Sequence, residues 1–183
     1  MSGQLSAIPS ARTGGNRFLQ SVAGISMFAG WISATMIVAA VAITCQMIFV
    51  RFVLNGSTVW QTEAVVYLMI AATLVGLPYV QHLRGHVNVD LIPLMLPRKL
   101  RFAMAIVTLL LSIAIVAVMF WYGFDYWHYA WSRGWTSDTI WAVPLWIPYL
   151  SLPVGFGLLM LQLIADLVAL ILKIESPFGL GDA

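Results

Sequence analysis

Three side chains able to bind a metal ion are spaced four residues apart near the middle of the sequence. On a continuous helix His82, His86 and Asp90 would share one face, which is a spacing typical of metal ligands. Gly85 disfavours a continuous helix there, and residues 87–89, Val-Asn-Val, favour an extended or broken path. We therefore expect His86 and Asp90 to fix a polar turn by hydrogen bonds, with metal binding as the alternative.

Haem binding and group-transfer chemistry have little support in the residues. Two histidines that hold a haem must face each other at one depth, but the uncharged stretch 102–124 separates His128 from His82 and His86. The sequence also has no glycine-rich phosphate loop, no nucleophile elbow and no clustered pair of acids. We expect a protein that is not an enzyme and that binds no metal or cofactor of its own.

The composition indicates what kind of molecule must position these residues. Of the 183 residues, 61% are hydrophobic and only 9% are charged, and the mean hydropathy is +0.92. Soluble proteins carry about 25% charged residues, and a small soluble fold leaves much of its surface in water. Nine Lys and Arg residues form no dense basic face for nucleic acid, and the single cysteine, Cys45, excludes a disulfide scaffold. The sequence therefore predicts an all-α integral membrane protein.

Four uncharged stretches are each long enough to cross a membrane: residues 18–50, 64–83, 102–124 and 139–165. A charge at the bilayer centre costs at least ~2.5 kcal/mol, and about 20 apolar residues cross the hydrocarbon core. We predict four transmembrane helices and short amphipathic segments. The expected boundaries are spans at about 22–50, 60–83, 98–124 and 147–173, within a membrane domain of residues 18–173 flanked by cytoplasmic tails 1–17 and 174–183.

The first stretch is longer than a bilayer requires. As a helix, its 33 residues would measure roughly 50 Å. Tilt alone does not absorb that length, so we expect an interfacial extension of the first helix at about residues 18–26. The stretch is also too long for the apolar region of a cleavable signal peptide, which indicates an uncleaved signal anchor.

Positive charges predict the orientation, because cytoplasmic loops carry an excess of Lys and Arg. Arg51 and Arg133 lie on one side of the predicted bundle. Seven of the nine basic residues lie on the other side: Arg12, Arg17, Arg84, Arg98, Lys99, Arg101 and Lys173. The chain is therefore expected to be a multi-pass protein of the bacterial inner membrane with both termini in the cytoplasm.

The predicted spans contain no acidic or basic residue at mid-depth. Their polar side chains are Thr44, Gln46, Thr73 and Gln162, and we expect the two glutamines to bond between helices rather than to bind substrate. Transporters place ionisable groups in the membrane for ions and protons, so this chain is not expected to transport by itself. Small residues predict close helix contacts at Ser26, Gly30 and Ala34 on the first span and at Ala72 and Gly76 on the second.

Aromatic residues crowd the segment between the last two spans. Five tryptophans lie in the segment from Asp125 to Trp146, the last residue included. They predict either an aromatic belt on the outer leaflet or a docking surface for a partner. The docking candidates are Trp131, Arg133, Trp135 and Asp138. Prolines follow, so the straight part of the fourth helix should begin near Pro148.

Short motifs across residues 24–173 resemble those of one family of membrane transport proteins. They lie at the ends of the first two spans, after the second and along the fourth: Arg51, Trp60, Glu63, Arg84, His86, Asp90, Pro153, Gly155 and Gln162. With four spans and cytoplasmic termini, they resemble the small permease subunit of tripartite ATP-independent periplasmic (TRAP) transporters. Many members have two acids after the tryptophan, and here Thr62 replaces the first of them.

The resemblance implies a function within a complex. It implies two protein partners, a large permease subunit and a periplasmic substrate-binding protein. The chain would also contact the lipid bilayer, and no nucleic acid is expected. The large subunit would carry an organic acid and bind the driving sodium ions, while the small subunit would scaffold it and help to form the docking face for the binding protein. The alternative is a four-helix membrane anchor or assembly subunit of another complex, such as one for electron transfer.

Overall fold

A computed structural model describes residues 17–83 and 97–172, and this part of the chain is almost entirely helical. The helices are α1 (Arg17–Phe52), α2 (Val59–His82), α3 (Arg98–Arg133), α4 (Trp146–Tyr149) and α5 (Ser151–Ile171). Four segments are long and apolar enough to cross a membrane, namely α1, α2, α3 and the α4–α5 segment taken together. The prediction of an all-α membrane protein with four transmembrane helices is confirmed.

The helices form an open row in the order α1, α2, α5, α3. Helix α1 lies along α2, α2 along α5, and α5 along α3, while α1 also reaches the last turns of α5. We call the end at which α1 and α3 finish the hairpin end, and the opposite end, where α2 and α5 finish, the tail end. In the α4–α5 segment 39% of the most apolar stretch is buried, against 17% or less in the other spans, so α5 is the central helix.

Helix α1 continues without a break through the predicted extension. Leu19 and Val22 in its first two turns pack against Ala165 and Ala169 of α5. The extension is therefore helical and held by the bundle, and its position at the membrane interface stays a prediction.

The buried face of α1 follows a coiled-coil spacing. Its members are separated by three or four residues or by seven: Leu19, Val22, Ser26, Ala29, Ser33 and Ala40. That repeat suits nearly parallel helix axes. The Ser33 hydroxyl donates to the Ala72 carbonyl at 2.7 Å, which joins α1 to α2. The prediction that Ala34 belongs to this face is wrong, because the contact alternates steps of three and four and leaves Ala34 exposed.

A proline and a glycine bring α2 and α5 into backbone contact. Pro78 lies inside α2 and has no N–H, so it cannot bond the carbonyl of Leu74 four residues earlier. A Cβ added to Gly155 of α5 would lie 2.7 Å from that carbonyl oxygen. The absence of a side chain at Gly155 thus lets α5 cover a backbone oxygen that α2 leaves unpaired.

Helix α3 is longer than the predicted span and continues through Asp125 to Arg133. No residue in this stretch breaks a helix until Gly134, which takes a left-handed conformation with φ of 60°. The α4–α5 segment begins at Trp146. Pro148 lies in the single turn of α4, and Pro153 lies in the first turn of α5, where a missing N–H costs little.

We predict that Gly155→Ala separates α2 from α5. The added methyl group would overlap Leu74, and overpacking of this kind typically costs about 1–3 kcal/mol. Gly24→Ala is the matched control, because an added Cβ there meets nothing within 4 Å. Thermal unfolding in detergent should show a lower midpoint for Gly155→Ala only. Equal midpoints for the two variants would contradict the close contact at Gly155.

Candidate functional site

A line of polar side chains joins three helices toward the tail end. Ser26 of α1 donates to Gln162 Oε1 of α5 at 2.7 Å. The Gln162 amide donates to Asp166 Oδ1 at 2.8 Å, and Gln81 of α2 donates to Asp166 Oδ2 at 2.8 Å. We call these four residues the Gln162 network. It fixes the positions of α1, α2 and α5 relative to one another.

The network satisfies polar groups that an apolar surrounding would otherwise penalise. Ser26 and Gln162 are buried, at 1% and 4% exposure, and an unpaired amide in hydrocarbon costs several kcal/mol. The prediction that Gln162 bonds between helices is confirmed. The part played by Asp166 was missed, although its position four residues after Gln162 places both side chains on one helix face. Nothing in the sequence pattern points to Gln81.

A second interhelical contact, between two glutamines, lies at the hairpin end. Gln61 Nε2 of α2 donates to Gln46 Oε1 of α1 at 3.4 Å, as expected for Gln46. The Gln61 side chain therefore points toward α1. Thr58, which precedes α2, makes no side-chain capping bond. Gln61 Oε1 is buried and has no hydrogen-bond partner among the described residues.

Residues 134–145 form a short hairpin between α3 and α4. The Ser137 N–H donates to the Val143 carbonyl at 2.9 Å, and the Leu145 N–H donates to the Trp135 carbonyl at 2.8 Å. Ala142 adopts a positive φ of 47°, an uncommon conformation for alanine, near the turn. The aromatic residues of this stretch do not by themselves predict the hairpin.

The hairpin is attached to the first turns of α2. The Ser137 hydroxyl donates to Glu63 Oε1 at 2.7 Å and lies 2.9 Å from the Thr139 hydroxyl. Trp141 meets Trp60 edge-on, with 6.1 Å between the ring centroids. Glu63 and Trp60, both identified by their motif positions, thus hold the hairpin against the bundle. Glu63 Oε2 is buried and has no hydrogen-bond partner in the described part of the chain.

The four docking candidates lie in or near this hairpin, and their contacts differ. Trp131 packs against Trp146 with 4.6 Å between ring centroids, and Trp135 meets the ring of Tyr126 at 6.0 Å. The guanidinium group of Arg133 lies 5.7 Å from the Tyr129 ring centroid, and Asp138 is exposed on the hairpin. Both tryptophans therefore support the fold while part of each ring remains exposed.

The remaining motif residues have separate positions. Arg51 is exposed in the last turn of α1, and Pro153 is buried in α5 beside the Gly155 contact already described. Arg84, His86 and Asp90 lie outside the described residues, and so does the turn that the last two were predicted to fix. Their roles stay predictions.

No group of three or more His, Cys, Asp or Glu residues that could hold a metal ion occurs within residues 17–83 and 97–172. His82 is the last residue of α2 at the tail end, whereas His128 lies near the hairpin end of α3 and stacks on Phe124. The two histidines thus lie at opposite ends of the bundle. The expectation that this chain binds no cofactor stays a prediction.

We predict that Ser137→Ala weakens the attachment of the hairpin. The substitution removes the donor to Glu63 Oε1 and leaves a partly buried carboxylate oxygen unpaired, at an expected cost of about 1–3 kcal/mol. Ser132→Ala is the matched control, because that exposed hydroxyl bonds only the Tyr129 carbonyl of its own helix. Denaturant unfolding should separate the two variants. A Ser137→Ala protein as stable as the control would contradict this role for Glu63.

Comparison with known proteins places the fold in a family. The family model described as "Tripartite ATP-independent periplasmic transporters, DctQ component" matches residues 40–173. The chain is similar to the C4-dicarboxylate TRAP transporter small permease protein DctQ of Vibrio cholerae serotype O1, with 25% identity over 138 residues. The similarity covers 64% of this chain and 60% of that relative, less than two thirds of the relative's length. The family match covers most of the chain and confirms the resemblance, so the chain belongs to the DctQ family, the small permease components of TRAP transporters.

Proposed function

We propose that this chain is the scaffold of a sodium-driven, binding-protein-dependent transporter for an organic acid. In this proposal it holds a large permease subunit in the bilayer and carries no substrate itself. One observation supports the proposal most strongly. Most polar side chains of the described spans form bonds between or within helices, while the outer faces of α1 and α3 are apolar and uncovered.

The hydroxyl groups within the spans illustrate the first half of that observation. Thr35, Thr44, Thr73 and Thr108 each donate to the carbonyl four residues earlier in their own helix. Ser33 donates to α2, and the four members of the Gln162 network bond to one another. Substrate and ion sites of secondary transporters need polar groups that converge on a cavity, commonly at broken helices. The described residues offer no such group of side chains.

The exposed apolar surfaces illustrate the second half. Trp31 and Val38 of α1 are 72% and 68% exposed, and Trp121 and Val107 of α3 are 74% and 63% exposed. Because the row is open, α1 and α3 each offer most of their circumference to lipid or to another subunit. Such a surface suits a subunit that broadens and steadies a moving partner.

The proposal also assigns a role to the exposed charges at the hairpin end. Arg133 and Asp138, with the exposed parts of Trp131 and Trp135, would contribute to the face on which a periplasmic binding protein lands. Exposed charges steer association and set its salt dependence. This role requires the hairpin end to face the periplasm, and the distribution of Lys and Arg supports that orientation.

The substrate class and the driving ion are proposed by analogy. The Vibrio cholerae relative is named as a C4-dicarboxylate transporter component, and the organic acid proposed for this chain follows that name. The sodium ions and the substrate would bind the large subunit. The small chain would contribute assembly and docking, and no cofactor is proposed for it.

We predict that the purified chain, reconstituted alone in liposomes, transports no substrate with or without a sodium gradient. Uptake of a C4-dicarboxylate or a related organic acid should appear when the large permease subunit and the binding protein are added. Omitting this chain from the mixture should abolish or strongly reduce uptake, because assembly is lost.

The control for substrate choice is the affinity of the binding protein alone, which should be independent of this chain. Sodium-dependent uptake by the small chain alone would contradict the proposal. Full uptake by the other two components without it would contradict the scaffold role.

A further inference from the structure

The tip of the hairpin exposes two apolar side chains, of which one, Ile140, takes almost no part in the fold. Ile140 is 95% exposed and makes almost no contact with the rest of the protein, and the neighbouring Trp141 is 43% exposed. A soluble loop would place polar residues at such a tip. An isoleucine held outward next to a tryptophan therefore suggests contact with an apolar surface outside the chain.

The attachment of the hairpin to α2 gives its depth. Trp141 contacts Trp60, and Ser137 contacts Glu63, so the tip is level with the first turn of α2. The uncharged part of α2 begins at Ala64, and Trp60 lies four residues, or about 6 Å, beyond it. A bilayer has an interfacial layer of about 5–7 Å on each side of its hydrocarbon core. The contacts thus place the tip at the height of the lipid headgroups.

Other apolar side chains close to the start of α2 are also exposed. Phe52, at the end of α1, is 78% exposed, and Val53 and Leu54 directly after it are each 63% exposed. Trp60 itself is 43% exposed beside Trp141. Tryptophan is enriched at membrane interfaces, because its ring is apolar and its N–H remains solvated.

We propose that Ile140 and Trp141 insert into the interfacial layer of the bilayer at the hairpin end. The bond from Ser137 to Glu63 holds the hairpin at the correct height, and the exposed Asp138 remains in water beside it. The occupant of this surface is lipid rather than a protein partner. This inference depends on the membrane location of the chain and not on the scaffold role proposed above.

The test measures the surroundings of the tip directly. A nitroxide spin label is attached to Ile140→Cys in a Cys45→Ser background, since the exposed Cys45 would also be labelled. We expect Ile140→Cys to leave the fold intact, because the Ile140 side chain is 95% exposed. The matched control carries the label at Asp138→Cys. Both full-length chains are reconstituted in phosphatidylethanolamine–phosphatidylglycerol nanodiscs, and the accessibilities to oxygen and to a water-soluble nickel chelate are compared.

The proposal predicts that the label at 140 is more accessible to oxygen than to nickel and that the label at 138 shows the reverse. The label at 140 should keep its values when the large permease and the binding protein are added. Nickel accessibility at 140 equal to that at 138 in the chain alone would overturn the proposal. Protection of 140 that appears only on addition of either protein would assign the tip to that partner and would also overturn it.

Discussion

The structure depends on the cost of an unpaired polar group in an apolar surrounding. Gln162 of α5 is buried, and it avoids that cost by accepting from Ser26 and donating to Asp166, which also accepts from Gln81. The helices themselves are close to uniformly apolar, and apolar side chains pack as readily against lipid as against one another. Directional hydrogen bonds therefore specify which faces of α1, α2 and α5 meet, and small residues allow those faces to approach.

The open row of helices follows from this arrangement. Helix α5 contacts the other three long helices, while α1 and α3 each keep a broad exposed apolar face. A bundle in which most polar groups are paired and the outer apolar surface is uncovered suits a multi-pass inner-membrane subunit of a larger transporter. At the hairpin end the same constraint applies to Glu63, which accepts from Ser137 and so holds the hairpin to α2.

The sequence predicted the features that depend on composition and spacing. The four spans followed from the uncharged stretches, and the interhelical role of Gln162 followed from a lone amide within a span. The family followed from motif residues such as Trp60 and Gly155. The sequence failed where a side chain's partner is distant along the chain. Gln81 and Ser137 are ordinary polar residues until folding brings Asp166 and Glu63 to them.

Local geometry explains the other differences. The buried face of α1 passes through Ser33 rather than Ala34 because the contact alternates steps of three and four residues. Helix α3 continues past Asp125 because no residue breaks it before Gly134. The hairpin includes a positive φ at Ala142. An alanine in the sequence does not predict that conformation.

The central claim is that polar pairing at Gln162 holds α1 to α5. A double-mutant cycle tests it with Ser26→Ala, Gln162→Leu and the double variant, each unfolded reversibly in bicelles. The account predicts a coupling free energy of about 0.6–1.7 kcal/mol between the two positions. In the parallel control cycle Thr35→Val replaces Ser26→Ala and is combined with Gln162→Leu. The two losses of stability should then add, because the Thr35 hydroxyl bonds only within α1. A coupling free energy between Ser26 and Gln162 no larger than that of the Thr35 cycle would contradict the claim.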